Sequence, residues 1–189
     1  MLNSLIGIVA SSGGAAADAP AYESIATGVG TGSNATITFS SIPSTYTSLQ
    51  IRCLVRDTST GTGAYRLDVN LNGDTATNYA YHILSGNGAS VTASGVASAA
   101  FMSQGTVKVR DGEAAGIMGV GIIDIHDYAS TTRNKTVRSF TGYDANGSGY
   151  VGLQSGLWMS TSAVTSITLS ASTFFTSATV FALYGIKGA

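Results

Sequence analysis

Few residues in this chain have the type and spacing for chemistry. Asp124, His126 and Asp127 stand together in the run DIHDY, and on a strand Asp124 and His126 share one face. Two carboxylates and an imidazole could hold a divalent cation or move a proton. A metal centre needs more donors than these, and the other histidine, His82, lies far away in sequence. The expected role is a strand end whose polar side chains meet solvent or cap a turn. Asp144, Asn146 and Ser148, followed by Gly149, place oxygens at positions one, three and five of a calcium-type loop, with glycine at six. Position twelve should be an acid and is Ser155. A hairpin turn accounts for the same residues without an ion.

Cys53 is the single cysteine, so no internal disulfide can form. One thiol and two imidazoles are too few for a structural zinc site. The sequence holds no G-x-S-x-G, no P-loop, no H-E-x-x-H and no carboxylate pair at a usable spacing. General acid–base chemistry needs titratable side chains held close together. No catalytic residue, metal or cofactor is therefore expected, and the chain is not expected to be an enzyme.

The same scarcity of charge marks the whole chain. Charged residues make up 10% of the 189, against about a quarter in ordinary globular domains. The 24 glycines could suggest disorder, but nine Tyr, six Phe and steady β-branched runs argue for a packed fold. A hydroxyl-rich, weakly charged surface leaves little repulsion between copies, which suits a protein destined for an assembly. The net charge of −1 gives no electrostatic attraction to nucleic acid or to an anionic membrane. No apolar run approaches the roughly 18 residues of a transmembrane helix.

The elements that position these residues read as strands. Residues 1–20 form an arm: the apolar run MLNSLIGIVA, then the small-residue linker SSGGAAADAP. The run lacks a positive flank, so a cleaved signal peptide is not expected. Leu2, Leu5, Ile6, Ile8 and Val9 are expected to dock against a neighbouring subunit. Residues 21–189 form the domain.

Strands are expected over Tyr22–Thr27 and Ala35–Phe39, followed by a turn in which Pro43 blocks continuation. Leu49, Ile51, Cys53 and Val55 then share one strand face, opposite Gln50, Arg52 and Arg56. Cys53 thus belongs to an apolar row, as a buried and inert thiol. Tyr65, Leu67, Val69 and Leu71 alternate in the same way, and Asn72-Gly73 marks a tight turn. Residues 78–84 are of uncertain type, and 85–105 read as a long loop or short edge strands.

Ile117–Ile125 is apolar on both faces, the pattern of a central strand covered on both sides. Val180–Ile186 is too, so it is either central or covered outside by a partner. With Arg133–Tyr143, Tyr150–Trp158 and Val164–Leu169, about nine strands and no amphipathic helix are expected. That gives an all-β fold, a two-sheet antiparallel sandwich with a jelly roll as its expected version and an extended N-terminal arm.

Exposed aromatics on such a fold could stack on sugar rings, and Tyr79, Tyr81, Tyr128, Tyr143, Tyr150 and Trp158 form the pool. Core packing is the expected role for most of them, Trp158 included.

The blocks FSSIPSTYTSLQIR, LNGDTATNYAYHIL with GNGASV, DIHDYASTTRNKTVRSFTGYDANGSGYVGLQSGLWMSTSAVTSITL and FALYGIKG resemble a family of virion structural proteins of tailed phages, including cyanophages and other aquatic phages. The resemblance spans residues 22–188. It implies a β-sandwich, no enzymatic activity and a place on the particle, and it supplies no binding residues. Within the virion, a compact domain with a docking arm suits a capsid decoration (cement) protein. Such a protein would be a homotrimer seated on the major capsid protein. The alternative is a tail-fibre or host-receptor module that grips surface glycan.

Overall fold

The computed structural model describes residues 21–188; Leu2, Leu5, Ile6, Ile8 and Val9 of the arm lie outside them. Twelve strands and no helix make up the described residues. They are β1 (Tyr22–Val29), β2 (Thr36–Phe39), β3 (Ser48–Asp57), β4 (Ala64–Leu71), β5 (Tyr79–Gly86) and β6 (Val91–Ala99). The second half supplies β7 (Met102–Arg110), β8 (Gly119–His126), β9 (Lys135–Asp144), β10 (Gly149–Trp158), β11 (Ile167–Ser170) and β12 (Val180–Ile186).

A long antiparallel sheet runs in the order β1-β12-β3-β8-β9-β10-β5-β6. A short one runs β2-β11-β4-β7. They are joined at the end of β3, where Arg56 and Asp57 pair in parallel with Val109 and Arg110 of β7. The result is one mixed, open sheet, in which β1, β2 and β6 each pair along a single edge. The expectation of wholly antiparallel pairing is corrected by that β3–β7 ladder. It forms because β3 outruns its partner β8, whose pairing ends at Val55, and the exposed backbone of its last two residues needs a second partner.

The alternating strands bury the rows their sequences single out. Leu49, Ile51 and Val55 of β3, Leu67, Val69 and Leu71 of β4, and Phe181 and Leu183 of β12 are fully buried. Residues 72 and 73 both take positive φ (52° and 67°), the backbone of a tight turn that Asn and Gly tolerate.

Residues 85–105, expected as a long loop or short edge strands, hold the nine-residue edge strand β6 and the first part of nine-residue β7. With β5 over the segment of uncertain type, the strand count is twelve and not about nine. β7 (MSQGTVKVR) is largely buried and lies across the inner face of β8, β9 and β10. Its polar letters hide this, because its interior includes a charge. Lys108 Nζ lies 3.2 Å from Asp57 Oδ2, with both side chains almost wholly buried. Next to it, the buried Arg56 guanidinium donates to the carbonyls of Asp111, Glu113, Ala114 and Ile117 and fixes the β7–β8 connection.

The close crossing of β7 dictates small residues beneath it. A methyl group on Gly119 would run into the Val107 carbonyl, and one on Gly156 would come within 2.7 Å of Met102 Sδ. Glycine lets the two backbones approach.

Candidate functional site

The Asp124–Asp127 cluster does not converge on a common point. Asp124 accepts a hydrogen bond from Gln50 Nε2 (2.8 Å), and His126 Nε2 lies 3.0 Å from Arg138 Nη2. Asp127, at φ 51°, sits in the turn after β8 and pairs with Arg133 at 3.3 Å. Asp144 caps a hairpin turn: its carboxylate accepts from the Asn146 amide (2.8 Å), and Ala145 N donates to the Ser148 carbonyl (2.7 Å). Among the described residues no three His, Cys, Asp or Glu side chains are grouped to hold a metal ion.

Cys53 lies in the buried row, with its thiol donating to the Gly121 carbonyl; burial pushes its pKa up to about 12. Such a thiol is neutral and inert at physiological pH. Of the aromatic pool, Tyr79, Tyr81, Tyr128 and Trp158 are buried and cannot stack on a sugar. Trp158 stacks on Tyr79 with ring centroids 6.4 Å apart and donates to Asp74 Oδ2 at 2.7 Å.

What stands out is the outer face of the long sheet. Arg52, Ile122, Phe140, Leu153, Leu84 and Ala93 oppose one another in a single row across β3, β8, β9, β10, β5 and β6. The next row is Leu54, Val120, Gly142, Val151, Gly86 and Val91. A polar row borders them: Gln50, Asp124, Arg138, Ser155 and His82. Val120 is 51% exposed and Ile122 40%, so β8 is covered on one face only, and the expectation of two covered faces is corrected. Phe140 and Leu153 are each 53% exposed. Two shallow depressions of ≈ 550 Å³ and ≈ 570 Å³ lie along these rows.

In the middle of β9 and β10 the usual polarity of a sheet is reversed. Beneath Phe140 and Leu153, the inner side carries Ser139, Thr141, Gly152 and Gln154. Because β7 approaches so closely, that part of the interior takes small and polar residues, while the large apolar ones point outward. Packing among the described residues does not account for them. Sequence reasoning missed the rows in β9, β10 and β5. The available signal was GYVGLQSGLW, where Val and Leu alternate with Gly and Gln and so must share a face of their own.

The sheet ends in β6, VTASGVASA, a nine-residue edge strand without charge or proline and exposed on nearly every residue. Isolated edges normally carry such blocking residues, because a free row of backbone donors and acceptors invites another strand.

No family model, curated protein or solved structure matches this chain.

Proposed function

We propose that this chain is a structural subunit of a tailed-phage particle, a capsid decoration (cement) protein that works by being covered by its neighbours. The observation that carries the reading is the exposed apolar outer face of the long sheet. Leu54, Leu84, Val91, Val120, Ile122, Phe140, Val151 and Leu153 in its two apolar rows are each 40–75% exposed, a contiguous patch of the kind that marks an interaction site. The unblocked β6 edge, the low charge and the resemblance of the sequence to phage virion proteins support the same reading. So does the dispersal of the few ionisable side chains into turns, ion pairs and the interior. The partners would be other copies, with a trimer as the expected oligomer, and the major capsid protein.

We read the architecture as a two-layer sandwich, supported by the passage of β7 across the inner face of β8–β10. The long-range returns of β5 to β10 and of β12 to β3 are the kind of connection from which Greek keys and jelly rolls are built.

The test is a copy count. Particles purified with and without the gene would be run on denaturing gels, and their heads challenged with heat and osmotic shock. Hundreds of copies, and fragile heads in their absence, are expected. Absence of the chain from particles would refute the reading.

A second reading, a glycan-binding tail-fibre module, draws on one feature. Tyr143 and Tyr150, opposed on β9 and β10, line a depression of ≈ 340 Å³ with Asp144 and the β5–β6 turn. Low copy number and binding of the purified chain to host cells would favour it.

A further inference from the structure

We propose that the outer face of β8, β9, β10 and β5 is the receptor for the Leu2–Val9 segment of a neighbouring copy of this chain. The inference rests on the assembly reading above and names its contact.

Two features need an explanation, and each answers the other. One is a face of apolar side chains, centred on Phe140 and Leu153, that packing among the described residues leaves exposed. The other is a segment with five large aliphatic side chains in eight residues, Leu2, Leu5, Ile6, Ile8 and Val9, and no charge. An uncharged aliphatic strip and the apolar rows of this face are matched in chemistry, and burying both removes apolar area from water.

The way the chain enters the sheet favours a neighbour's segment. Tyr22 lies on the same outer face, with the Arg52 guanidinium 5.3 Å from its ring centroid. It pairs with Ile186, which pairs with Ser48, at the end of the sheet that carries the polar row. The Ala21 carbonyl still accepts from Lys187 N at 3.0 Å, so the line of β1 continues to that residue. Ala21 therefore stands beyond the polar end of the sheet, on the side away from the apolar rows. A subunit's own segment would have to reverse and recross Gln50 and Asp124 to reach them. A neighbour's segment need not. At about 3.3 Å per residue, the twelve residues from Ala10 to Ala21 span up to roughly 40 Å, enough to reach an adjacent subunit. Segment-on-face contact is heterologous, and such a contact closes into a ring such as a trimer when its rotation closes.

The test uses full-length chains. An Ile6→Cys chain is mixed with a Leu153→Cys chain under mild oxidation, and the products are separated on a non-reducing gel; the native thiol, Cys53, is buried. Covalent pairs joining the two different chains are expected. In parallel, Leu153→Asp and Leu5→Asp/Ile8→Asp are each expected to convert the oligomer to monomer by light scattering, with melting of the domain unchanged. The proposal is overturned if Leu153→Asp associates as the unchanged chain does. It is also overturned if an Ile6→Cys/Leu153→Cys chain closes only on itself, or if the unchanged chain is monomeric at high concentration. Failure here leaves the particle copy count intact, so the two readings fall separately.

Discussion

Phe140 on β9 stands directly opposite Leu153 on β10, and each is 53% exposed on the outer face of the long sheet. A cross-strand aromatic–aliphatic pair contributes to a sheet, but a half-exposed one contributes little. Phe140→Ser and Leu153→Ser are expected to change the stability of the isolated subunit by no more than about 1 kcal/mol each. Both should weaken self-association strongly. Urea unfolding and size-exclusion chromatography with light scattering measure the two effects on the same samples.

The buried Lys108–Asp57 pair gives the opposite pattern. Asp57 also accepts from the backbone and hydroxyl of Ser59, so its charge is well satisfied. Lys108→Met would leave the carboxylate buried without its cation, at a cost of about 3–5 kcal/mol. Lys108→Met combined with Asp57→Asn should cost less than the two single changes added together. A double-mutant cycle in urea checks this.

Glycine beneath β7 is a packing requirement. Gly119→Ala would drive its methyl group into the Val107 carbonyl, a backbone atom that cannot turn aside. A loss of roughly 1–3 kcal/mol is expected from the overpacking. Gly147→Ala, in the β9–β10 turn, meets no neighbouring atom but sits at φ 108°, so its cost would come from backbone strain alone. Thermal melting of both variants, with the structure of Gly119→Ala, separates crowding from strain.

Asp74 links stability to acid. The Trp158 indole N–H, then the Asn78 amide, donate to its carboxylate and hold its pKa below the ordinary aspartate value of 3.8. Because the folded pKa is the lower one, this contribution is fully present above pH 3.8. It is lost as the pH falls through the depressed folded value. Asp74 is near the surface, so the contribution is expected to stay under about 1 kcal/mol. Trp158 is the single tryptophan, and its fluorescence during acid titration reports the change directly. Asp74→Asn should flatten that part of the titration.

The strands with one greasy and one polar side were legible from sequence. β3 and β4 alternate cleanly, so Leu49, Ile51, Cys53 and Val55 declared their shared face, and Asn72-Gly73 declared its turn. The Asp144–Gly149 hairpin was legible because Asn146 and Gly147 accept positive φ. β6 and β7 were not, since Gly, Ser and Ala carry weak strand preference and the burial of Lys108 depends on Asp57, fifty-one residues away. The outer face was hidden for a different reason. An apolar residue on the second side of a strand looks the same whether its own subunit or another molecule covers it. Val120 and Ile122 therefore look like core, and only their exposure in the folded chain shows them outside.

The most direct test of the account is radical footprinting of Phe140 and Leu153 in the assembled particle and in the dissociated chain. The account predicts strong protection of both side chains on assembly, with Tyr65, exposed on the other sheet, serving as a reference in the same sample. Equal labelling of Phe140 and Leu153 in the two states would contradict it.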